Sequence, residues 1–272
     1  MSLESELDRA RELDVGALAD VIESIGFECT RCGACCKAAG TDTGEPSGVD
    51  REARSASRDD ERAKLSRTTR RASSGERSES DGGESEPHTA TVFPEEIRDL
   101  QERDEYDHRD VARPMPYGLT DGPEGPEGET FEWALRTTDC GDCTFYAEDD
   151  GTGACTVHDD RPLICRTYPF SIGDVDEHQH NEGGGLGTTE PMGGVVEQEG
   201  MVRAHECEGL GRDISREDAE ELAAALKERA IRELKEVIGV RDNYEPTDVD
   251  GVVVHDSEGQ KRPDGTSLEN EE

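Results

Sequence analysis

Four cysteines lie within eight residues near the start of the chain, in the order Cys29-Thr-Arg-Cys32-Gly-Ala-Cys35-Cys36. Thiolates two residues apart can bind one metal ion or one iron–sulfur cluster. Gly33 allows the tight turn that such a loop needs. Cys29, Cys32 and Cys35 share this spacing, so they are predicted to face one metal centre.

Cys36 follows Cys35 directly, and the side chains of adjacent residues are expected to diverge. We therefore expect either that Cys36 serves a second centre or that one of the pair is a free thiol. Five more cysteines follow, at Cys140, Cys143, Cys155, Cys165 and Cys207. Nine thiols are too many for one site, because a tetrahedral zinc site or a four-iron cluster takes about four.

The later cysteines lie in longer motifs. The chain reads Cys140-Gly-Asp-Cys143-Thr-Phe-Tyr, then Gly153-Ala-Cys155-Thr-Val-His158, then Arg161-Pro-Leu-Ile-Cys165-Arg-Thr-Tyr168-Pro-Phe170, and Cys207 follows after a gap. Together with the first motif, this order resembles the YkgJ-type cysteine-cluster family, whose CxxCxxCC domain is described as zinc- or iron-chelating. The resemblance covers residues 27–37, a helix starting at Pro94, and residues 140–211.

The resemblance implies a cofactor, either an iron–sulfur cluster or zinc, and a set of eight ligands. Carried over position by position, the implied metal ligands are Cys29, Cys32, Cys35, Cys36, Cys143, Cys155, Cys165 and Cys207. Cys140 lies outside the family pattern, so its role as a ligand is left open. Residues 40–90 also depart from the family, which closes that gap with a shorter segment.

Positive charge is expected beside the sulfurs, because four thiolates on Zn²⁺ leave a net charge of about −2. Arg161 and Arg166 flank cysteines in the sequence and are predicted to bind the cofactor by donating hydrogen bonds to sulfur. The alternative is that they form surface ion pairs with acids such as Asp159 or Asp160.

Three other side chains near the motifs have expected roles. His158 and His205 could each replace a cysteine ligand, although packing or support of a ligand is the commoner role of a lone histidine. The sequence Tyr168-Pro-Phe170 is expected to cover the metal site as an apolar lid.

The charge of the chain limits its partners. It has 67 acidic and 30 basic residues, a net charge of −37, and only five lysines. Binding of nucleic acid or of an anionic membrane is therefore not expected, since both need clustered Lys and Arg. High acid with little lysine indicates a halophilic, haloarchaeal-like protein. No apolar stretch reaches the length of a membrane span, and the acidic start does not resemble a signal peptide.

These features predict a cytoplasmic protein, in which nine cysteines indicate metal binding rather than disulfides. Only 31% of the residues are hydrophobic. The predicted fold class is α+β: a small irregular cysteine core stapled by metal, with two or three packing helices, a few short strands and disordered acidic segments. The predicted segments are 1–39, with a helix and the CxxCxxCC loop; 40–90, a disordered low-complexity insertion; 91–239, the rest of the cysteine domain; and 240–272, an acidic tail.

Periodicity and capping residues predict the elements that position the cysteines. A helix over residues 3–25 ends at Gly26, and a second helix begins at Pro94. A third covers residues 215–238, between a Ser215 capping box and a C-terminal Gly239. The predicted β elements are a strand over 131–136, a hairpin over 195–202 and an edge strand over 252–254. Residues 183–187 are predicted to be a flexible glycine loop.

Three functions are consistent with these residues. The leading one is a metal-binding protein that transfers electrons or handles metal, with an unidentified protein redox partner. The second is a zinc-stapled scaffold that binds another protein. The third, a protein lysine methylase-like enzyme, is suggested only by the occurrence of similar cysteine domains in such proteins. The motifs identify no catalytic residue, and they leave open whether the chain is an oxidoreductase-type enzyme.

Overall fold

A computed structural model describes residues 2–38, 86–123, 125–149, 152–173, 188–247 and 250–268. The predicted insertion at 40–90 lies almost entirely outside these residues, and so does the predicted glycine loop at 183–187. Met1–Ala39 and Pro87–Glu272 belong to one compact unit. In this part of the chain, no helix has both the length and the apolar character that a membrane crossing requires.

The architecture is mixed α+β, as predicted. The helices are α1 (Leu3–Glu12), α2 (Val15–Ile25), α3 (Pro94–Asp104), α4 (His108–Val111), α5 (Leu163–Thr167) and α6 (Arg216–Asn243). The strands are β1 (Thr91–Val92), β2 (Ala112–Pro114), β3 (Leu119–Gly122), β4 (Gly125–Thr130), β5 (Trp133–Leu135), β6 (Tyr146–Asp149), β7 (Thr152–Cys155), β8 (Phe170–Ile172), β9 (Val195–Glu199), β10 (Val202–His205), β11 (Val252–Asp256) and β12 (Gly259–Lys261).

The strands form four small sheets with the orders β1-β5-β2, β8-β10-β9, β12-β11-β4-β3 and β6-β7. All pairs are antiparallel except β11 and β4, which are parallel. The hairpin predicted over residues 195–202 is confirmed as β9 and β10. Of the strand predicted over 131–136, only β5 forms.

One hydrophobic cluster lies between α6, the N-terminal helices and the sheet of β8 and β10. Ile22, Phe170 and Leu226 are each fully buried in it. Phe27 packs edge-on against Phe170, with ring centroids 5.8 Å apart. Burial of this apolar area fixes the N-terminal helices, and hence the start of the first cysteine loop, against α6.

The prediction of one continuous helix over residues 3–25 is wrong. The chain breaks after Glu12 because Asp14 caps a new helix, accepting a hydrogen bond from the backbone N–H of Ala17 at 2.8 Å. The predicted end at Gly26 is confirmed. This residue has a φ of 76°, and a Cβ there would lie 2.3 Å from the Arg212 carbonyl oxygen.

The prediction that Gly239 ends the last helix is also wrong, since α6 continues to Asn243. A Cβ at Gly239 would lie 2.5 Å from the Cβ of Ser257. The glycine therefore serves close packing of the helix against the turn that follows β11. Ser215 does cap the helix, accepting from the Asp218 N–H at 3.1 Å.

A second hydrophobic cluster forms around β5, α3 and β11. Trp133, Ile97 and Val254 are buried in it, together with Cys143 and Phe145. The half-buried cysteines that pack against this cluster are Cys36, Cys155 and Cys165. The second core therefore forms one wall of the cysteine region.

The edge strand predicted over residues 252–254 is instead an inner strand, β11. β11 lies between β12 and β4, and the expected tail at 240–272 thus contains two strands of a sheet. Asp256 at the end of β11 accepts a buried hydrogen bond from Trp133 Nε1 at 3.0 Å. This bond ties the C-terminal sheet to the second core.

A fully buried cation joins α6 to the segment after Cys165. Arg229 donates to Thr167 Oγ1 at 2.9 Å, to the Phe170 carbonyl at 3.3 Å, and to the Thr189 carbonyl. Its Nε also donates to Glu233 on the next turn of the helix, at 2.8 Å. These bonds compensate for the desolvation of the guanidinium.

We expect Arg229→Met to destabilise the fold by about 3–5 kcal/mol, because the Phe170 and Thr189 carbonyls lose their guanidinium donor and Glu233 keeps only the Thr189 N–H. Urea unfolding at constant salt measures this change. The control is Arg241→Met on the same helix, whose pairs with Glu4 and Asp242 are half exposed, and which should destabilise the fold far less than Arg229→Met. Equal losses for the two variants would contradict the role given to Arg229.

Candidate metal centre

The first cysteine loop is held beside Cys207 by a short backbone ladder. Glu28 N–H donates to the Gly209 carbonyl at 3.0 Å, and Gly211 N–H donates to the Gly26 carbonyl at 3.0 Å. A Cβ at Gly209 would lie 2.2 Å from the Glu28 carbonyl oxygen, so only glycine allows this approach. The Gly209 N–H also donates to Cys207 Sγ at 3.4 Å.

A second set of backbone bonds joins the same loop to the β6–β7 hairpin. Gly153 N–H donates to the Arg31 carbonyl at 2.7 Å, and Cys143 N–H donates to the Cys36 carbonyl at 2.8 Å. Gly33 has a φ of 75°, as expected for a tight turn, and a Cβ there would meet Tyr146 Oη at 2.4 Å. The loop thus lies between Cys207 on one side and Cys143 and Cys155 on the other.

The buried carboxylate of Glu96 positions Cys165. Glu96 lies in the first turn of α3 and accepts from Phe93 N–H at 3.0 Å and from Leu163 N–H at 2.8 Å. Leu163 begins α5, the five-residue helix that carries Cys165. Burial raises the pKa of Glu96 above its ordinary value, and the hydrogen bonds from the two backbone donors offset only part of this rise.

These contacts form a cavity of about 390 Å³ among the thiols. The cysteines in its lining are Cys29, Cys35, Cys36, Cys143, Cys155 and Cys165. All nine cysteines of the chain are free thiols, with Cys29 exposed and Cys143 buried. The sequence motifs that lie more than a hundred residues apart therefore meet at one place.

The expectation that Cys35 and Cys36 diverge is wrong. Both lie in a single 3₁₀ turn, Ala34–Cys36, and their Sγ atoms are 3.8 Å apart. The tight turn lets both side chains line the same cavity. This separation is close to the sulfur–sulfur edge of roughly 3.8 Å in a tetrahedral site with Zn–S bonds of about 2.3 Å.

The pKa values of the thiols report their crowding. A hydrogen bond with the Cys36 thiol raises the pKa of Cys35, and burial raises it further. Burial raises the pKa of Cys143 to about 11, and the neighbouring thiols of Cys155 and Cys35 add to the shift. Burial likewise raises the pKa of Cys165, followed by the charges of Cys143, Cys35 and Cys155. Cys35 is thus within electrostatic range of this whole group.

Cys207 lies near the thiols of the first cysteine loop. Burial raises its pKa, and the thiols of Cys32, Cys35 and Cys29 raise it further. Tyr168 senses the same group: burial raises its pKa, followed by the charges of Cys207, Cys35 and Cys32. Tyr168 lines the cavity as expected of a lid, whereas Phe170 instead belongs to the first hydrophobic cluster.

The donor set fits a thiophilic metal. Thiolates are ligands for Zn²⁺ and for iron–sulfur clusters, and apolar walls with few competing oxygen donors favour them. In the residues that the structure describes, no three Cys, His, Asp or Glu side chains already stand close enough together to hold an ion. Metal binding would therefore require side-chain rotation of the thiols toward one another.

The two predicted arginines occupy different places. The charge of Arg161 acts on Cys35 and Cys155, where it lowers the pKa against the effect of burial. Its Nε donates to the His158 carbonyl at 3.0 Å. Arg166 is exposed and lines a neighbouring pocket with Cys29 and Arg161. The geometry therefore puts Arg161 closer to the thiols than Arg166.

The acids that offered an alternative explanation have other partners. Asp160 pairs with Arg103, and Asp159 lies 3.3 Å from the ring of His158.

Cys140 is exposed, with Thr138 Oγ1 at 3.0 Å, and it is not among the residues that line the cavity. Its position agrees with its absence from the family pattern.

The histidines divide into three roles. His158 is exposed at the cavity, whereas His205 is a buried core residue, 2.8 Å from Ser171 Oγ and 3.1 Å from the Gly193 carbonyl.

His88 was missed by sequence reasoning. It is 2% exposed, its Nε2 lies 3.0 Å from the Cys35 carbonyl, and it lines the cavity. His88 lies within the segment 40–90 that was predicted to be a low-complexity insertion, and nothing in that segment indicated this contact.

Comparison with known proteins agrees with the site. A family model, described as "CxxCxxCC: Putative zinc- or iron-chelating domain", matches residues 28–208. The matched range contains all nine cysteines and about two thirds of the chain. No curated protein and no solved structure matches the chain.

The raised thiol pKa values predict pH-dependent metal binding. A thiol whose pKa lies above its ordinary value stays protonated at neutral pH, so each ligand must release a proton when metal binds. We expect Zn²⁺ affinity to rise steeply between about pH 6 and 8, with roughly one proton released per ligating thiol. Calorimetry in buffers of different ionisation enthalpy counts these protons.

Cys140→Ser is the matched control for this count, because Cys140 lies outside the cavity. It should release as many protons as the unaltered protein, whereas Cys143→Ser should release fewer. Affinity that does not change with pH would contradict the interpretation.

Proposed function

This chain belongs to the CxxCxxCC family of zinc- or iron-chelating domains, and we propose that it is an iron–sulfur protein that exchanges electrons with a protein partner. The observation that carries the proposal is the cavity lined by six cysteines. A single Zn²⁺ fills the space between four sulfurs, because its bonds to them are only about 2.3 Å long. A cavity of about 390 Å³ leaves room for several metal atoms and bridging sulfides.

The positions of the thiols support two sets of ligands. Cys36 packs with Cys143, Cys155 and Cys165 against the second hydrophobic cluster, and these four would form one set. Cys29, Cys32 and Cys35 act electrostatically on Cys207, and these four would form the other. Cys35 interacts with both sets, since its charge also reaches Cys143, Cys155 and Cys165.

The surroundings supply what a charged cluster needs. Arg161 would offset the negative charge of the thiolates, and the Gly209 N–H already donates to Cys207 Sγ. Bound in this way, an iron–sulfur cluster supplies one-electron chemistry. Leu135, Phe145 and Val157 also line the cavity and would keep water from the sulfurs.

Electron exchange also requires that the centre lie close to the surface. Cys29 is exposed and lines both the cysteine cavity and the neighbouring pocket with Arg166. A partner that docks there would approach a ligand sulfur directly. The same exposure would let a metal ion leave or enter, so metal handling is the related alternative.

A zinc-stapled scaffold is the second candidate function. It is favoured by one observation, the 3.8 Å separation of Cys35 Sγ and Cys36 Sγ, which suits two ligands of one tetrahedral ion. In that case the metal would supply folding free energy and no redox chemistry.

Anaerobic purification separates the two candidates. We expect a brown protein that contains iron and acid-labile sulfide, with a paramagnetic signal after reduction by dithionite. Cys143→Ser and Cys207→Ser should each lose most of the iron of one set, while Cys140→Ser should keep the full amount. A colourless protein with stoichiometric zinc would overturn the iron–sulfur proposal in favour of the scaffold.

The two arginines should differ in their effect on the reduction potential. Arg161→Gln removes a charge that acts on Cys35 and Cys155, so reduction becomes less favourable. The expected fall is roughly 20–40 mV, which corresponds to an interaction of about 0.5–1 kcal/mol for one electron. Protein-film voltammetry measures the change. Arg166→Gln is the control with the smaller expected shift, and an equal shift in both variants would argue against a specific role for Arg161.

A further inference from the structure

A second cavity, which contains no cysteine, has an unusual concentration of aromatic rings. It measures about 760 Å³, roughly twice the volume of the cysteine cavity, and lies between α6 and the strands β1 and β5. The chain has only five Phe, five Tyr and one Trp. Five of these eleven rings line this cavity: Phe93, Tyr117, Phe131, Trp133 and Tyr244.

Several of these side chains are partly exposed to solvent. Tyr117 is 68% exposed, Phe131 47% and Tyr244 40%, and Val237 beside them is 49% exposed. They account for four of the six large apolar side chains that are exposed in the described part of the chain. In so acidic and polar a protein, a patch of this kind marks a binding surface.

Ring stacking and hydrogen bonds hold the wall formed by Phe131 and Tyr244 in place. The rings of Phe131 and His255 stack with centroids 5.3 Å apart, and Tyr244 packs on His255 at 4.9 Å. Glu129 holds the His255 and Tyr244 rings, since its carboxylate lies 3.0 Å from His255 Nε2 and accepts from Tyr244 Oη at 3.5 Å. The aromatic faces are therefore positioned before any ligand binds.

Carboxylates complete the lining, and two of them, Glu132 and Glu236, form no ion pair among the described residues. Glu233 accepts from Arg229, and Glu236 accepts from the Ser257 N–H at 2.8 Å. The Glu132 carboxylate has no hydrogen-bond or ion-pair partner among the described residues, although the backbone carbonyl of Glu132 accepts from the Met115 N–H at 3.0 Å. Although Glu132 keeps exposed surface, burial of its carboxylate raises its pKa, and the charges of Glu233 and Glu236 raise it further. Arg241 also lines the cavity, but its guanidinium pairs with Glu4 and Asp242.

We propose that this cavity binds a small organic cation, an ammonium group that carries apolar substituents. Aromatic faces attract such a cation through their negative quadrupole, and the apolar substituents bury area against the rings. The carboxylate of Glu132 supplies the counter-charge. The volume is that of an ordinary small-ligand site, which typically measures about 300–1,000 Å³.

The site is independent of the proposed metal centre in its ligands. Its cavity shares Thr189 with the lining of the cysteine cavity, but no thiol faces it. A failure of cation binding would therefore leave the iron content unchanged, and a protein without iron could still bind the cation.

Trp133 makes the test direct, because it is the single tryptophan of the chain and lines the cavity. The probe is benzyltrimethylammonium, titrated into the full-length protein and followed by tryptophan fluorescence and calorimetry. Its uncharged isostere, neopentylbenzene, is the ligand control. We expect saturable binding of the cation, at least about fivefold tighter than that of the isostere, as cation–π and charge interactions imply.

Variants then locate the binding. Glu132→Gln should weaken the cation about tenfold and leave the isostere unaffected, and Tyr117→Ala should weaken both. Glu102→Gln, an equivalent change on the exposed side of α3, should alter neither. Metal content, measured on each variant, should stay that of the unaltered protein.

The proposal would be overturned by no saturable binding at millimolar cation, by equal affinity for cation and isostere, or by full affinity in Glu132→Gln. Binding of a lysine-containing peptide without binding of the free ammonium would also overturn it, since it would assign the cavity to a protein partner.

Discussion

The buried guanidinium of Arg229 is the contact on which the arrangement of the cysteine region depends. It joins α6, the longest helix, to two separate segments: Thr167–Phe170, which follows Cys165, and Thr189, which lines the cavity. A charge removed from water costs several kcal/mol unless its donors are satisfied. Here Glu233 and three oxygens from these segments satisfy them, so the segments are held where the guanidinium needs them.

The cysteine loop is positioned in a different way, by backbone hydrogen bonds. Glu28 and Gly211 bind it to the Cys207 turn, Arg31 binds it to the β6–β7 hairpin, and Cys36 binds it to Cys143 just before that hairpin. These bonds require close approach of main chains, which explains the glycines at positions 153 and 209. Gly33 has a positive φ and leaves room for the Tyr146 ring. The scaffold thereby crowds thiols together in an apolar place, which raises their pKa values and favours neutral thiols until a metal supplies positive charge.

Local patterns predicted the elements whose signals are local. The ends at Gly26 and Pro94, the cap at Ser215 and the hairpin of β9 and β10 each depend on a few neighbouring residues. Two predictions that depended on distant partners were wrong. Gly239 looks like a helix end until Ser257 packs against it, and residues 252–254 look like an edge strand until β4 and β12 pair on either side.

The sequence by itself determined the chemistry of the site, because thiol type, number and spacing are written in the chain and restrict the ligand to a thiophilic metal. Only the tertiary structure decided which thiols meet. It turned Cys35 and Cys36 to one cavity, left Cys140 outside, brought His88 to the Cys35 carbonyl and set Arg161 nearer than Arg166. The physical reason is that spacing along the chain determines only which side chains can meet within one local turn. The approach of distant segments depends on packing and on buried partners such as Glu96 and Arg229.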